Sequence, residues 1–219
     1  MSNSQLANDA LRETRTKFKH HKSANKLKLR QGEEVNKDRR KDAKQTMKEQ
    51  RGGLEGAMRS LSPSQLKEVT WREIYEQYAE AAAGNCLEYS AYAWRILIGK
   101  KARADVVRLR GGGGDHSFVA VGLSTVTPSI DFRQWEGDVW ICDGWANICC
   151  HAADYPDRWK EKMRKWSGAT EANTGPERYF KHVYIAGGWT LPSYLPWMES
   201  VETCEKYVVR MDDLYASLV

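Results

Sequence analysis

Cys86 stands at the start of a predicted helix, a position at which a thiol is chemically activated. Leu87, Ala91, Trp94 and Ile98 recur at the spacing of one face of an amphipathic helix, and Gly99 follows them. Asn85 is a favourable N-cap residue and Glu88 stands three residues on, which together indicate a capping box with Cys86 at the first helical position. The N–H groups and partial positive charge there favour a thiolate and can hold an oxyanion.

A histidine and an aspartate occupy the ends of two predicted strands further along the chain. His116 opens the run HSFVAVGL, residues 116 to 123, and Asp143 closes the run DVWICD, residues 138 to 143. A carboxylate at the end of a buried strand is costly unless it is paired, and an imidazole on a neighbouring strand would pair it. Cys86, His116 and Asp143 thus supply a nucleophile, a base and a carboxylate that orients the base.

A structural role for the same residues is the alternative. Free cysteine is among the most buried residue types, and Cys142, which lies within a predicted strand, is expected to belong to the core. A small intracellular adaptor with a basic arm would need no reactive thiol. Fast alkylation of Cys86 that depends on His116 would distinguish the enzyme from the adaptor.

The elements around these residues predict an α+β domain with helices followed by a largely antiparallel sheet. Helix starts are indicated at Ser62 with Gln65 and at Thr70 with Glu73, and both precede the Cys86 helix. A helix is also indicated in DRWKEKMRKW, at 157 to 166. The predicted strands cover 104–110, 116–123, 138–143, 179–186 and 206–211. The glycines at 111–114 lack the Lys-Ser/Thr ending of a phosphate loop and lead into a strand, which favours a hairpin.

Charge divides the chain into two predicted parts, a basic tail over residues 1–58 and a catalytic domain over 59–219. Residues 1–50 carry a balance of +7 and the remainder carries −2. Phe18 is the one aromatic residue of those fifty, so this segment is expected to be largely disordered or loosely helical and to serve in export or targeting. A secretion chaperone is therefore a candidate partner, and contact with anionic lipid stays open. Nucleic acid is not expected, because the tail lacks stacking aromatics.

Membrane spans, Sec export and metal sites are not predicted. The sequence has no run of eighteen apolar residues and no basic-then-apolar leader. The five cysteines form no repeated CxxC framework, and their odd number leaves at least one unpaired, which favours a reducing compartment. Cys142, Cys149, Cys150 and His151 do not match the spacing of a zinc site, so no metal or other cofactor is expected.

Three local motifs resemble those of papain-like cysteine enzymes that act as bacterial effectors and toxins. They are GNC with an acidic residue two positions on, DHSFVAV, and ICDGW, and together they fall within roughly residues 80 to 150. The resemblance is to the group that contains the C-terminal catalytic domain of Pasteurella multocida toxin and related type III effector deamidases. It implies a papain-like, transglutaminase-like core with Cys86 as nucleophile, His116 as general base and acid, and Asp143 as the orienting residue.

The resemblance also implies a substrate and a location. The substrate would be a glutamine carboxamide of a host protein, converted to glutamate with loss of ammonia. The enzyme would reach the host cytosol by non-Sec export of type III. A side-chain amide should complete the oxyanion hole formed by the Cys86 N–H, with Asn147 favoured because family members place an amide shortly after the aspartate, and Asn85 as the other candidate.

Other reactions use the same three residues. Protease, transglutaminase and acyltransferase differ from deamidase in the leaving group and in the acceptor of the acyl group. A peptidoglycan amidase of the CHAP or NlpC/P60 type also combines a cysteine helix with a histidine on a strand, although its usual motifs differ from GNCLEYS and DHSFVAVG.

Overall fold

The fold was analysed in a computed structural model, which describes residues 1–18, 33–60, 71–111, 114–124, 131–167 and 202–203. The predicted helix start at Ser62 and the predicted strands at 179–186 and 206–211 lie outside these residues. The described helices are α1 (Asn3–Lys17), α2 (Glu33–Arg59), α3 (Trp71–Ala79), α4 (Cys86–Gly99) and α5 (Tyr155–Ser167), with 3-10 turns at Phe132–Gln134 and Ala152–Asp154. None of the described helices combines the length and apolarity that crossing a bilayer requires.

The strands form one antiparallel sheet in the order β4-β3-β2-β1-β5. The strands are β1 (Ala104–Gly111), β2 (Gly114–Val121), β3 (Trp140–Asp143), β4 (Ile148–His151) and the two-residue β5 (Glu202–Thr203). Gly111 pairs with Gly114, as in the hairpin that the glycine run predicts. The α+β class, with helices before an antiparallel sheet, is thereby confirmed.

The sheet has a separate core on each face. Because side chains alternate along a strand, Val106, Val119 and Cys142 face one side, whereas Val107, Phe118 and Ile141 face the other. The first set packs with residues of α1, α3 and α4. The second set packs with aromatic residues, namely Phe132, Trp135, Trp145, Tyr155 and Trp159. His116 lies two residues before Phe118 on β2 and so faces the aromatic side.

Helix α1 lies within residues 1–58, the segment that composition predicts to be a largely disordered or loosely helical tail. Ser2 and Gln5 form a capping box at its start, and one face buries Leu6, Ala7, Ala10 and Thr14. This helix contacts α4, β2, β3 and β4. Its buried face consists mainly of small residues, so the segment joins the core while keeping a low average hydrophobicity. Low hydrophobicity therefore does not mean disorder here.

Two contacts of α1 reach the elements that carry the predicted site. Phe18, which follows the helix, stacks on Tyr89 of α4 with ring centroids 4.1 Å apart. Thr14 packs so closely on Gly144 that a Cβ at Gly144 would lie 2.7 Å from Cγ2 of Thr14. Residues 1–18 therefore pack against both the cysteine helix and the turn after Asp143.

Candidate active site

Cys86 is the first residue of α4, as the capping pattern predicts. Asn85 is extended at the N-cap, and its N–H donates to Oε2 of Glu88 at 2.8 Å. Ser90 Oγ donates to the Cys86 carbonyl at 2.7 Å, which adds a side-chain bond to the first turn. The thiol is free and partly exposed, beside the aromatic core. Its position at the amino end of a fourteen-residue helix places it in the favourable part of the helix dipole.

His116 and Asp143 form a buried pair on neighbouring strands. Nε2 of His116 lies 2.8 Å from Oδ2 of Asp143, and the two side chains are 1% and 0% exposed. The pairing of β2 with β3 brings the residues together from 27 positions apart. Nδ1 is the ring nitrogen that Asp143 does not use, and the Cys86 thiol lies close enough to raise the pKa of His116. The three residues that the motifs single out are thus adjacent.

Asp143 accepts two further hydrogen bonds besides that of His116. The Ala146 N–H donates to Oδ1 at 2.8 Å, and the Tyr155 hydroxyl donates to Oδ2 at 2.8 Å. Burial acts to raise the pKa of Asp143, but the His116 charge and these donors outweigh it and hold the pKa below its usual range. Burial and the nearby carboxylate raise the pKa of Tyr155, so its hydroxyl remains a donor.

The His116 imidazole is held in its charged form by its neighbours. Burial lowers its pKa, while the charge and hydrogen bond of Asp143 and the interaction with Cys86 raise it, with a net pKa of about 9. Trp159 and Trp145 lie beside the ring, at centroid distances of 4.4 and 5.3 Å. An imidazolium next to the cysteine stabilises a thiolate and can later donate its proton to a leaving group.

Comparisons with protein-family models, curated proteins and solved structures found no match. The local geometry is consequently the basis on which a function can be assigned. The roles predicted for Cys86, His116 and Asp143 stay predictions, while their adjacency is an observation.

The two amides predicted for the oxyanion hole occupy different environments. Asn147 has a φ of 58° in the turn between β3 and β4, and its side chain is exposed. Asparagine tolerates this left-handed conformation better than most residues, which by itself accounts for its presence. Asn85 directly precedes Cys86, and its Oδ1 is buried without a hydrogen-bond partner.

Sequence reasoning missed three residues of this region: Tyr155, Trp159 and Arg51. Tyr155 and Trp159 lie four residues apart on α5, so both reach the aromatic face of the sheet. That helix was predicted from 157 onwards, but its contact with the His116 strand is non-local and has no sequence signature. Arg51 lies in the segment assigned to the tail, yet it pairs with the buried Glu88.

The other described cysteines are poor candidates for a nucleophile. Burial raises the pKa of Cys142 well above its usual value, that of Cys149 to about 11 and that of Cys150 to about 12. Each therefore stays a thiol near neutral pH. Within the part of the chain that the structure describes, no three His, Cys, Asp or Glu side chains are grouped so that they could bind a metal.

Proposed function

We propose that the chain is a papain-like thiol hydrolase that deamidates a glutamine of a host protein. One observation carries the proposal: Oδ2 of the buried Asp143 lies 2.8 Å from Nε2 of His116, and the partly exposed Cys86 at the amino end of α4 lies close enough to His116 to raise its pKa. This combination provides a nucleophile, a proton carrier and an orienting carboxylate. A cysteine serving only as a small core residue would not require the other two groups.

The reaction proceeds by acyl transfer through the thiol. The Cys86 thiolate attacks the carboxamide carbon, and the resulting oxyanion is held by the Cys86 N–H and by the amide of Asn147 or Asn85. His116 donates its proton to the departing nitrogen, which leaves as ammonia. His116 then accepts a proton from water as the water attacks the thioester, and cleavage of the C–S bond releases glutamate and restores the thiolate.

The choice of deamidation follows from the GNC, DHSFVAV and ICDGW motifs, which resemble those of the effector deamidases. A papain-like core is supported by the order of the elements, in which a cysteine-bearing helix precedes an antiparallel sheet carrying the histidine and the aspartate. Delivery to the host cytosol by non-Sec, type III export belongs to the same proposal, with a secretion chaperone as a partner of the N-terminal segment. Free thiols at all four described cysteines suit a reducing compartment.

Mass spectrometry of host-cell proteins tests this reaction. A host lysate is incubated with the wild type, with Cys86→Ala and with Cys149→Ala, and its proteins are then mapped as peptides. We expect one glutamine to gain about 1 Da with the wild type and with Cys149→Ala but not with Cys86→Ala, since replacing the amide nitrogen by oxygen needs the thiol. Backbone cleavage or an amine adduct would reassign the enzyme as a protease or a transglutaminase. A lysate unchanged by the wild type would contradict the deamidase proposal.

A further inference from the structure

Arg51 connects helix α2 to the first turn of the cysteine helix. Its Nη2 lies 2.6 Å and its Nε 2.7 Å from Oε1 of Glu88, so two guanidinium nitrogens bind one carboxylate oxygen. The other oxygen of Glu88 accepts the N–H of Asn85 at 2.8 Å. A continuous chain of polar contacts therefore runs from Arg51 to the backbone N–H of Asn85, the residue before Cys86.

The Glu88 carboxylate poses an electrostatic problem for a thiolate two residues away. Its side chain is 1% exposed, so solvent screens its negative charge weakly. A second negative charge at Cys86 would be disfavoured unless a cation compensated Glu88. Arg51 is the cation that binds Glu88, and its guanidinium also interacts with the Cys86 charge.

We infer that Arg51 is a positioning residue for Cys86: by neutralising Glu88 it permits the thiolate at the amino end of α4 and fixes the turn that carries it. This inference rests on the proposed function. It makes α2 part of the catalytic unit, although its composition suggests a detached tail. Burial lowers the pKa of Arg51, but Glu88 and, more weakly, Tyr78 and Cys86 raise it above its usual value, so the guanidinium remains charged throughout the working pH range.

The solvent around Arg51 and Glu88 determines how strongly the pair affects thiolate formation at Cys86. Arg51 and Glu88 line a cleft of about 280 Å³ between α2 and α3, and the Arg51 side chain is 35% exposed. Water in such a cleft weakens the guanidinium field, so a change of about three- to tenfold in thiolate formation is expected. The titratable and charged groups of the described residues that interact with Arg51 or Cys86 are Tyr78, Glu88, His116 and Tyr155.

The test measures the rate of Cys86 alkylation by iodoacetamide against pH in the full chain. Arg51→Ala should move the acidic midpoint of the curve to higher pH, because it removes a positive charge near the thiolate. Glu88→Gln should move the midpoint to lower pH, because it removes a negative charge while keeping an acceptor for Asn85. The double variant should return towards the wild type, and Arg51→Lys should retain most of the wild-type behaviour.

Arg51→Ala and Glu88→Gln should shift the alkylation midpoint in opposite directions. A purely structural role of the pair would not produce opposite shifts. If Arg51→Ala and Glu88→Gln shift the midpoint in the same direction, or leave it unchanged, the inference is overturned. Should Arg51→Ala fail to fold, Glu88→Gln and the double variant still show in which direction the alkylation midpoint moves. Arg12→Ala, which removes an exposed ion pair with Asp9, serves as the control and should leave the midpoint in place.

The same experiment separates failure of this inference from failure of the proposed function. If wild-type Cys86 reacts no faster than Cys149, the proposed function fails and the role of Arg51 fails with it. If Cys86 reacts fast and His116→Ala abolishes that rate, but the Arg51 and Glu88 variants leave the midpoint unmoved, only the inference about Arg51 fails.

Discussion

Nε2 of His116 lies 2.8 Å from Oδ2 of Asp143, and both side chains are almost completely shielded from water. Trp145 and Trp159 flank the imidazole on the aromatic face of the sheet. The pair fixes the direction of the ring and leaves Nδ1 for Cys86. A charge pair held in this way keeps its geometry during a proton transfer, because no solvent has to reorganise around it.

Tyr155→Phe should weaken the hold on Asp143 without creating a cavity. The hydroxyl donates to Oδ2 at 2.8 Å, while the ring packs on Phe118 and would be retained. Loss of a hydrogen bond to a buried charged group should lower the free energy of unfolding by about 1.5–3 kcal/mol and slow Cys86 alkylation, because Asp143 orients His116 less firmly. Urea unfolding and iodoacetamide labelling measure the two effects.

A matched control for that experiment is Tyr92→Phe. Tyr92 is half-buried beside Lys17, and the substitution again removes one hydroxyl. Its effect on the free energy of unfolding should stay within about 0.5 kcal/mol. Equal losses in the two variants would contradict a specific role for the Tyr155 hydroxyl.

The ionisation of His116 should make the stability of the fold depend on pH. Its pKa is raised in the folded state from 6.5 to about 9, so between those values His116 binds a proton more often in the folded protein than in the unfolded chain. The stabilisation from this group is complete below about pH 6.5 and is lost as the pH rises through about 9. A Cys86 thiolate would release a proton and offset this gain, so the effect is measured in Cys86→Ala, where urea unfolding should show a decline on the order of 2 kcal/mol across this window.

His116→Gln isolates this contribution, since glutamine can bind Asp143 but does not titrate. The variant should lose most of the decline between about pH 6.5 and 9. The comparison is made in the Cys86→Ala background, and an equally steep decline with and without His116→Gln would place the titrating group elsewhere and contradict the ion pair.

Phe18→Ala tests whether residues 1–18 belong to the folded domain. Phe18 is 5% exposed and stacks on Tyr89, so its removal should lower the free energy of unfolding by about 3–5 kcal/mol. Thr16→Ala changes an exposed residue of the same helix and should have an effect within about 0.5 kcal/mol. Denaturation that is insensitive to Phe18→Ala would support a detached tail instead.

Local signals predicted much of the site. The N-cap and helical spacing around Cys86, the apolar runs that begin at His116 and end at Asp143, and the glycine hairpin all involve residues close in sequence. The pairing of His116 with Asp143 could be anticipated because burying an unpaired carboxylate is costly. Strand β4, Ile148–His151, was missed.

Non-local packing explains the rest of what the sequence did not reveal. The contact of Tyr155 with Asp143 and the pairing of Arg51 with Glu88 each join two separate elements. Patterns in a single sequence do not predict contacts between distant elements. Helix α1 did carry a readable signal, namely Ser2 and Gln5 as a capping box ahead of a helical stripe. The prediction of a tail rested on the high charge of residues 1–50 and did not take that signal into account.

Competitive labelling of the native protein tests the central claim most directly, because Cys86 and Cys149 are both partly exposed free thiols. The full chain is treated with a limiting amount of iodoacetamide near neutral pH, and the modified cysteines are identified by peptide mapping, for the wild type and for His116→Ala. An activated nucleophile predicts that Cys86 is alkylated well before Cys149 and that the rate at Cys86 falls sharply in His116→Ala. Equal reactivity of the two cysteines in the wild type, or a Cys86 rate that is unchanged by loss of His116, would contradict the account.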